Sequence, residues 1–232
     1  MIDLYFWPTP NGKKISIMLE ECELPYNTVP VNIGAGDQFK PAFLAISPNN
    51  RMPAIVDGDT GVSVFESGAI LMYLAEKTGR FMPQELEARY EAVQWLIWQV
   101  AGLGPMAGQL SHFVNYAPEP VPYAKERYAN EYDRLLCVMD RRLEDRNFLA
   151  GDYSVADMAC YPWVAAYKRL GADLDKFERL RVWFDTLKAR PALQRGMALG
   201  ADWDYGLTDE AAKKVLFGQT SESIARARDE QQ

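Results

Sequence analysis

The chain has 232 residues, 48% of them hydrophobic and 25% charged, which are the proportions of a globular protein and not of a disordered one. That length allows one large domain or two small ones, and no apolar run approaches the ~20 residues of a membrane span. Its 25 basic and 32 acidic residues give a net charge of −7, a balance that argues against the broad phosphate contacts of a nucleic-acid binder.

Ile2 to Phe6 reads as a strand, ended by the turn cluster Pro8-Thr9-Pro10-Asn11-Gly12. Ile15, Met18, Leu19 and Cys22 then recur on one face of a helix. Tyr26 to Ile33 reads as a second strand, with Pro30 placing it at an edge or irregularity. A short helix is expected over Pro41 to Ile46. Ala54 to Val56 and Val62 to Phe65 form a hairpin around the Asp57 to Gly61 turn, and Glu66 to Thr78 is a helix closed by Gly79. The order is β-α-β-α-β-β-α, a compact α/β unit over residues 1–83.

Beyond residue 83 the pattern turns helical. Leu86 to Gln109 carries a long helix interrupted by Gly102 and Gly104-Pro105, and Tyr123 to Glu144 forms another. Ser154-Val155-Ala156-Asp157 has a capping-box pattern and opens an apolar run to Leu170. Phe177 to Arg190 is amphipathic and is stopped by Pro191. The expected division is therefore an α/β domain over 1–83, an all-helical domain over 88–212 and a tail over 213–232. The tail region from Gly206 holds one modest helix, Glu210 to Phe217, and a polar end of the kind that frays more often than it functions.

Three cysteines, Cys22, Cys137 and Cys160, are too few and too scattered for a disulfide framework or a zinc site. All three fall in apolar helical runs and read as buried and inert. The single histidine, His112, has no nucleophile motif beside it and reads as an ordinary helix-end residue. The Met1 to Phe6 start lacks the basic residues and long apolar run of a signal peptide, so a soluble, cytoplasmic protein is expected.

Three short stretches carry chemistry when taken together. Thr9 and Asn11 stand just before a helix N-terminus, where backbone N–H groups favour an anion and both side chains can donate to it. Ser47 to Pro53 contains Met52-Pro53; X-Pro bonds are the peptide bonds that adopt cis cheaply, and a cis bond here turns the Met52 backbone outward to pair with an extended peptide. Ser67 can cap a helix and offer its N–H and hydroxyl to a carboxylate, while Glu66 can hold an ammonium. Singly, each is equally well read as a turn, a stiff loop or a plain N-cap.

These motifs, with Gly36-Asp37-Gln38-Phe39, Ile46 to Asn50 and Gly102 to Met106, make the chain resemble the cytosolic glutathione transferases from end to end. The opening from Ile2 to Gly12 is similar to the bacterial nu class, which is related to the fungal nitrogen-regulatory prion protein and reduces disulfides with glutathione. The resemblance implies a thioredoxin-like N-terminal domain followed by the family's all-helical domain, with glutathione as co-substrate, no metal and a homodimer. It implies Thr9 and Asn11 near the glutathione sulfur, Gln38 and Arg51 at the glycyl end, and Met52 pairing through its backbone beside Pro53. Glu66 and Ser67 match the γ-glutamyl pair, and Arg127 a helical-domain arginine that contacts glutathione. Trp7 departs from the small residue expected there and, with Phe113 and Tyr116, is expected to line the second-substrate site. Tyr5, within a strand, reads as structural. Glutathione-dependent disulfide reduction leads. Conjugation of aromatic electrophiles or glutathione removal from ether adducts, and a non-catalytic glutathione- or partner-binding module, stay open.

Overall fold

The computed structural model describes residues 1–203, 209–222 and 224. Strand β1 (Ile2–Phe6) alternates as a two-sided strand must: Ile2, Leu4 and Phe6 enter the main core, while Tyr5 packs on Phe43 across the opposite face. It pairs in parallel with β2 (Tyr26–Pro30) and antiparallel with β3 (Ala54–Asp57), which pairs with β4 (Val62–Phe65), giving the order β2-β1-β3-β4. The second strand ends at Pro30, not Ile33, and lies at the sheet edge as its proline requires. Asp57 is buried at the hairpin. Burial alone would push its carboxyl up, but hydrogen bonds from Lys77, Tyr73 and the Asp59 N–H outweigh it and hold the group at about 2.

Helices α1 (Pro10–Cys22), α2 (Pro41–Leu44) and α3 (Ser67–Thr78) complete the thioredoxin-like unit, and Gly79 closes α3 with a positive φ of 66°. The helical domain follows with α4 (Leu86–Trp98), a π-helical turn over Gln99–Leu103, α5 (Gly104–Asn115) and α6 (Pro122–Arg142). After these come α7 (Val155–Val164), α8 (Glu178–Lys188), α9 (Pro191–Ala198) and α10 (Glu210–Phe217). The glycines expected to interrupt the long helix instead accompany one widened turn, and the helical path continues to Asn115. Pro191 does stop α8, and it also opens α9, where a first-turn residue needs no N–H. Helix α7 stops at Val164 although the apolar run continues to Leu170. Every residue of α7 is buried, so apolarity there reports burial and not helix length. The polar end of the tail, from 225 on, and the segment 204–208 lie outside the described residues.

The Ser154 capping box forms, and its Asp157 accepts hydrogen bonds from the N–H groups of Ser154 and Leu149 at 3.0 Å and from Trp183 Nε1 at 2.8 Å. Burial pushes Asp157 up to about 6 despite those donors. One acid thus ties the start of α7 to the preceding turn and to α8.

Helix α1 packs against α3 in its own domain and against α7 and α9 in the other. Its polar residues are accordingly buried and satisfied across the interface. Lys13 Nζ donates to the carbonyls of Met197, at 2.7 Å, and Leu199 at the end of α9, and Ser16 Oγ donates to the Gly196 carbonyl at 2.7 Å. Arg190 grips Glu21 with two hydrogen bonds of 2.8 and 2.7 Å. At Gly196 the backbones of α9 and α1 meet: a Cβ there would lie 2.6 Å from Ile17 Cα, a rigid neighbour. Gly196→Ala should therefore lower stability by at least about 1–3 kcal/mol through overpacking of the domain interface. Urea unfolding measures it, and an unchanged midpoint would mean that the two helices separate at no cost.

Candidate functional site

The site grows from the first turn of α1. Thr9 caps the helix, its Oγ1 accepting the Gly12 N–H at 3.3 Å, and Pro10 follows at the first position, where its missing N–H costs nothing. Gly12 allows the turn to close, since a Cβ there would lie 2.3 Å from the Trp7 carbonyl oxygen. The Thr9 hydroxyl donates to Met52 Sδ at 3.4 Å, a weak acceptor from which the proton is easily redirected. Asn11 is held differently. Trp163 Nε1 on α7 donates to Asn11 Oδ1 at 3.0 Å. An indole nitrogen can only donate, so the amide oxygen must face α7 and the amide NH₂ is presented away from it. The arrangement offers a hydroxyl, an amide N–H and a helix N-terminus to a negatively charged atom.

The second wall is the loop entering β3. The Met52-Pro53 peptide is cis, and both residues are buried. Among the described residues, no other backbone group engages the N–H or C=O of Met52. The third wall is the start of α3. Glu66 adopts a φ of 69°, an uncommon conformation for a side-chain-bearing residue that costs of order 1–3 kcal/mol and persists where the surroundings impose it. Its carboxylate accepts from Asn49 Nδ2 at 3.3 Å. Ser67, buried in the first turn of α3, accepts a hydrogen bond from Lys14 Nζ at 3.1 Å.

The remaining predicted residues are less closely grouped. Gln38 is buried, its Nε2 donating to the Ile33 carbonyl at 3.0 Å while its Oε1 has no partner. Arg51 is exposed and makes no ion pair among the described residues. Arg127 stands on the exposed side of α6, with Glu131 at 3.9 Å, and no described contact joins it to the other predicted residues. Trp7 packs into the protein interior. It is buried with Val31, Phe43, Met52 and Ala54, its ring 5.4 Å from that of Trp203, because a large apolar side chain fills the space under the loop. Phe113 stacks on Tyr128 at 5.7 Å, whereas Tyr116 does reach a cavity. Tyr5 lies within its strand and packs its ring 5.9 Å from that of Phe43.

Of the cysteines, Cys22 and Cys160 are buried, and burial pushes both thiols up. Cys137 is exposed, contrary to expectation. Tyr132, Leu135, Leu136 and Met139 form the buried stripe of α6, and Cys137 falls out of phase with it. That phase was readable from the sequence. Among the described residues, no cluster of His, Cys, Asp or Glu has a metal-binding arrangement.

A cavity of about 330 Å³ opens beside Thr9, with Pro8, Pro10, Pro162, Ala165, Ala166 and Met197 as its largely apolar walls. Lys13, Tyr116 and Arg169 supply its polar atoms. Helix α10 and the residues just after it bridge the two domains nearby: Phe217 packs on His112 and Tyr116 with centroids 4.7 and 5.4 Å apart, and Gln219 accepts from Asn50 Nδ2 at 3.2 Å. Trp163 and Lys14 were not found by sequence reasoning. A tryptophan in an apolar run reads as core, and a lysine next to Ile15 reads as the solvent face of a helix.

Two family models match the chain, the glutathione S-transferase N-terminal domain over residues 2–76 and the C-terminal domain over residues 108–191. The disulfide-bond oxidoreductase YfcG of Escherichia coli is 53% identical over 198 residues, covering 83% of this chain and 92% of that protein. Among solved structures, a glutathione transferase family member from Pseudomonas fluorescens with two glutathione bound superposes with a TM-score of 0.79 at 44% identity, covering 84% of this chain and 92% of that one. A glutathione transferase from Pseudomonas putida with glutathione disulfide bound also gives 0.79, at 42% identity, over 84% of this chain and 90% of that one. With both halves of the family matched and the fold shared, the chain belongs to the glutathione S-transferases.

Proposed function

We propose that this protein binds glutathione between the α1 N-terminus, the Met52 loop and the start of α3, and uses its thiolate to reduce disulfides. The observation that carries this reading is the first turn of α1. Where a thioredoxin-type mechanism needs a cysteine, this chain has Thr9 and Asn11, with Asn11 turned by Trp163 so that its NH₂ faces away from α7. The nucleophilic sulfur is therefore the ligand's. The names of the relatives, disulfide-bond oxidoreductases and glutathione-bound transferases, support the same reading.

In this reading the γ-glutamyl carboxylate meets Ser67 and the α3 N-terminus, and its ammonium meets Glu66. The cysteinyl backbone pairs with Met52 beside Pro53, the glycyl carboxylate meets Arg51 and Gln38, and Arg127 approaches from the helical domain. A free thiol with a pKa of about 8.5 is only a few per cent thiolate at neutral pH. Lowering it by two units takes about 2.7 kcal/mol of preferential stabilisation of the anion. A hydrogen bond to a charged group contributes ~1.5–3 kcal/mol, so one donor plus the helix terminus suffices. The thiolate attacks one sulfur of a disulfide and expels the other as a thiolate. A second glutathione thiolate then attacks the mixed disulfide, giving glutathione disulfide and the reduced thiol.

The apolar walls of the cavity favour a second reading, attack of the same thiolate on an apolar electrophile. A hydroxyalkyl disulfide, a chloronitroarene and a glutathionyl-ether adduct, assayed side by side, separate the two. Disulfide turnover should dominate, and no turnover of any of the three would leave a binding module. The reading also takes the protein as a cytoplasmic homodimer. No helix of the described residues is long and apolar enough to cross a membrane, and exposed Phe65 on β4 with Tyr90 and Ile97 on α4 are what a second copy would cover.

Replacing Thr9 by Val and Asn11 by Ala together should raise the thiol pKa of bound glutathione and cut turnover at neutral pH by about tenfold or more. Ultraviolet thiolate absorbance against pH reports the shift, and an unmoved titration would assign ionisation to another donor. A variant lacking Cys22, Cys137 and Cys160 should lose about 1 kcal/mol of stability at each of the two buried positions and nothing at the exposed one. Its disulfide reduction per folded molecule should remain intact and dependent on glutathione. Loss of that activity with glutathione binding preserved would mean that a protein thiol takes part.

A further inference from the structure

Lys14 is 1% exposed, among the most buried large side chains of the molecule, yet it carries an ammonium. Its Nζ donates to Ser67 Oγ at 3.1 Å and to Gln99 Oε1 at 2.5 Å. No carboxylate of the described residues lies within ion-pair distance of it. The titratable groups whose charge reaches it are Cys160 of α7, whose thiol burial keeps neutral, and Glu66 at the start of α3. A buried cation without a counter-ion is expensive, and a methionine of similar length would fill the same space without that cost.

The surroundings hold the ammonium in place beneath the α3 terminus. Gln99 belongs to the π-helical turn of the other domain, and such turns concentrate at functional sites. Its Nε2 is buried without a partner and lies 2.8 Å from where a Cβ on Gly104 would be, so the missing side chain of Gly104 makes room for it. Because Ser67 Oγ accepts from Lys14, its own O–H is left to donate elsewhere. Ser67 stands in the first turn of α3, where the helix terminus favours a negative charge.

We infer that Lys14 is the positioning residue of the γ-glutamyl subsite: it orients the Ser67 hydroxyl toward the ligand carboxylate, which in turn is the counter-ion the buried ammonium lacks. The inference rests on the reading of Ser67 given under the proposed function. It implies that binding is linked to a proton. Burial draws Lys14 down to about 7, so above that pH the free protein holds it increasingly neutral. A bound carboxylate favours the charged form, so binding takes up a proton and weakens as the pH rises.

Calorimetric titration tests this with S-methylglutathione, which has no thiol proton to lose, and with its analogue lacking the γ-glutamyl α-carboxylate, S-methylated 4-aminobutyryl-cysteinylglycine. Lys14→Met should bind S-methylglutathione about ten- to a hundredfold more weakly than the wild type at pH 7, and bind the analogue equally well. Titrations at pH 8 in buffers of different ionisation enthalpy should show less proton uptake in the variant. An unchanged affinity for S-methylglutathione, or an equal loss for both ligands, overturns the inference while leaving the site in place. Wild type that binds both ligands alike overturns the α3 subsite itself and the role of Lys14 with it. Should the variant fail to fold, the wild type decides alone: uptake with S-methylglutathione and none with the analogue supports the inference, and equal uptake with both overturns it.

Discussion

Helix α1 is closed in by α3 on one side and by α7 and α9 on the other, and the rest of the molecule is arranged around that enclosure. A helix with one solvent face can place its polar residues there. This one cannot, so Lys13, Lys14, Ser16 and Glu21 each need a fixed partner across a domain boundary. Those partners set the position of the helical domain relative to the sheet. They also hold the α1 N-terminus rigidly, which is what a site built from helix-terminal N–H groups requires.

The chemistry of the site is consequently shared between domains, although nearly all the groups proposed to touch glutathione belong to the first. Thr9 is fixed locally, by its own cap. Asn11 is fixed by Trp163 from α7, and Ser67 is linked through Lys14 to Gln99 of the π-helical turn. Trp163 settles which hydrogens Asn11 has left to give, while for Ser67 that is settled by Lys14 of its own domain, which Gln99 holds in place.

The distribution of sulfur follows the same logic. The two cysteines with deep burial have thiols pushed up by it, and the exposed one lies on α6 outside the buried stripe. None stands at a helix N-terminus, the place where a thiol is ionised. In the proposed reading, the sulfur ionised at the α1 N-terminus arrives with the ligand.

The sequence by itself determined the βαβαββα order, the change to helices after residue 83, the edge position of Pro30 and the capping box at Ser154, and it pointed to Thr9, Asn11, Met52 and Ser67 as candidate residues. These depend on local rules: strand alternation, turn residues, caps and the dihedral limits of proline. Only the tertiary structure decided that Trp7 is packed in the core, that α7 ends at Val164, and that Lys14 and Trp163 hydrogen-bond to Ser67 and Asn11. Each of those depends on what lies across from the residue. A lysine beside Ile15 is a solvent residue on a one-sided helix and a buried ammonium on an enclosed one, and the enclosing elements are about 50 to 180 residues away in the chain.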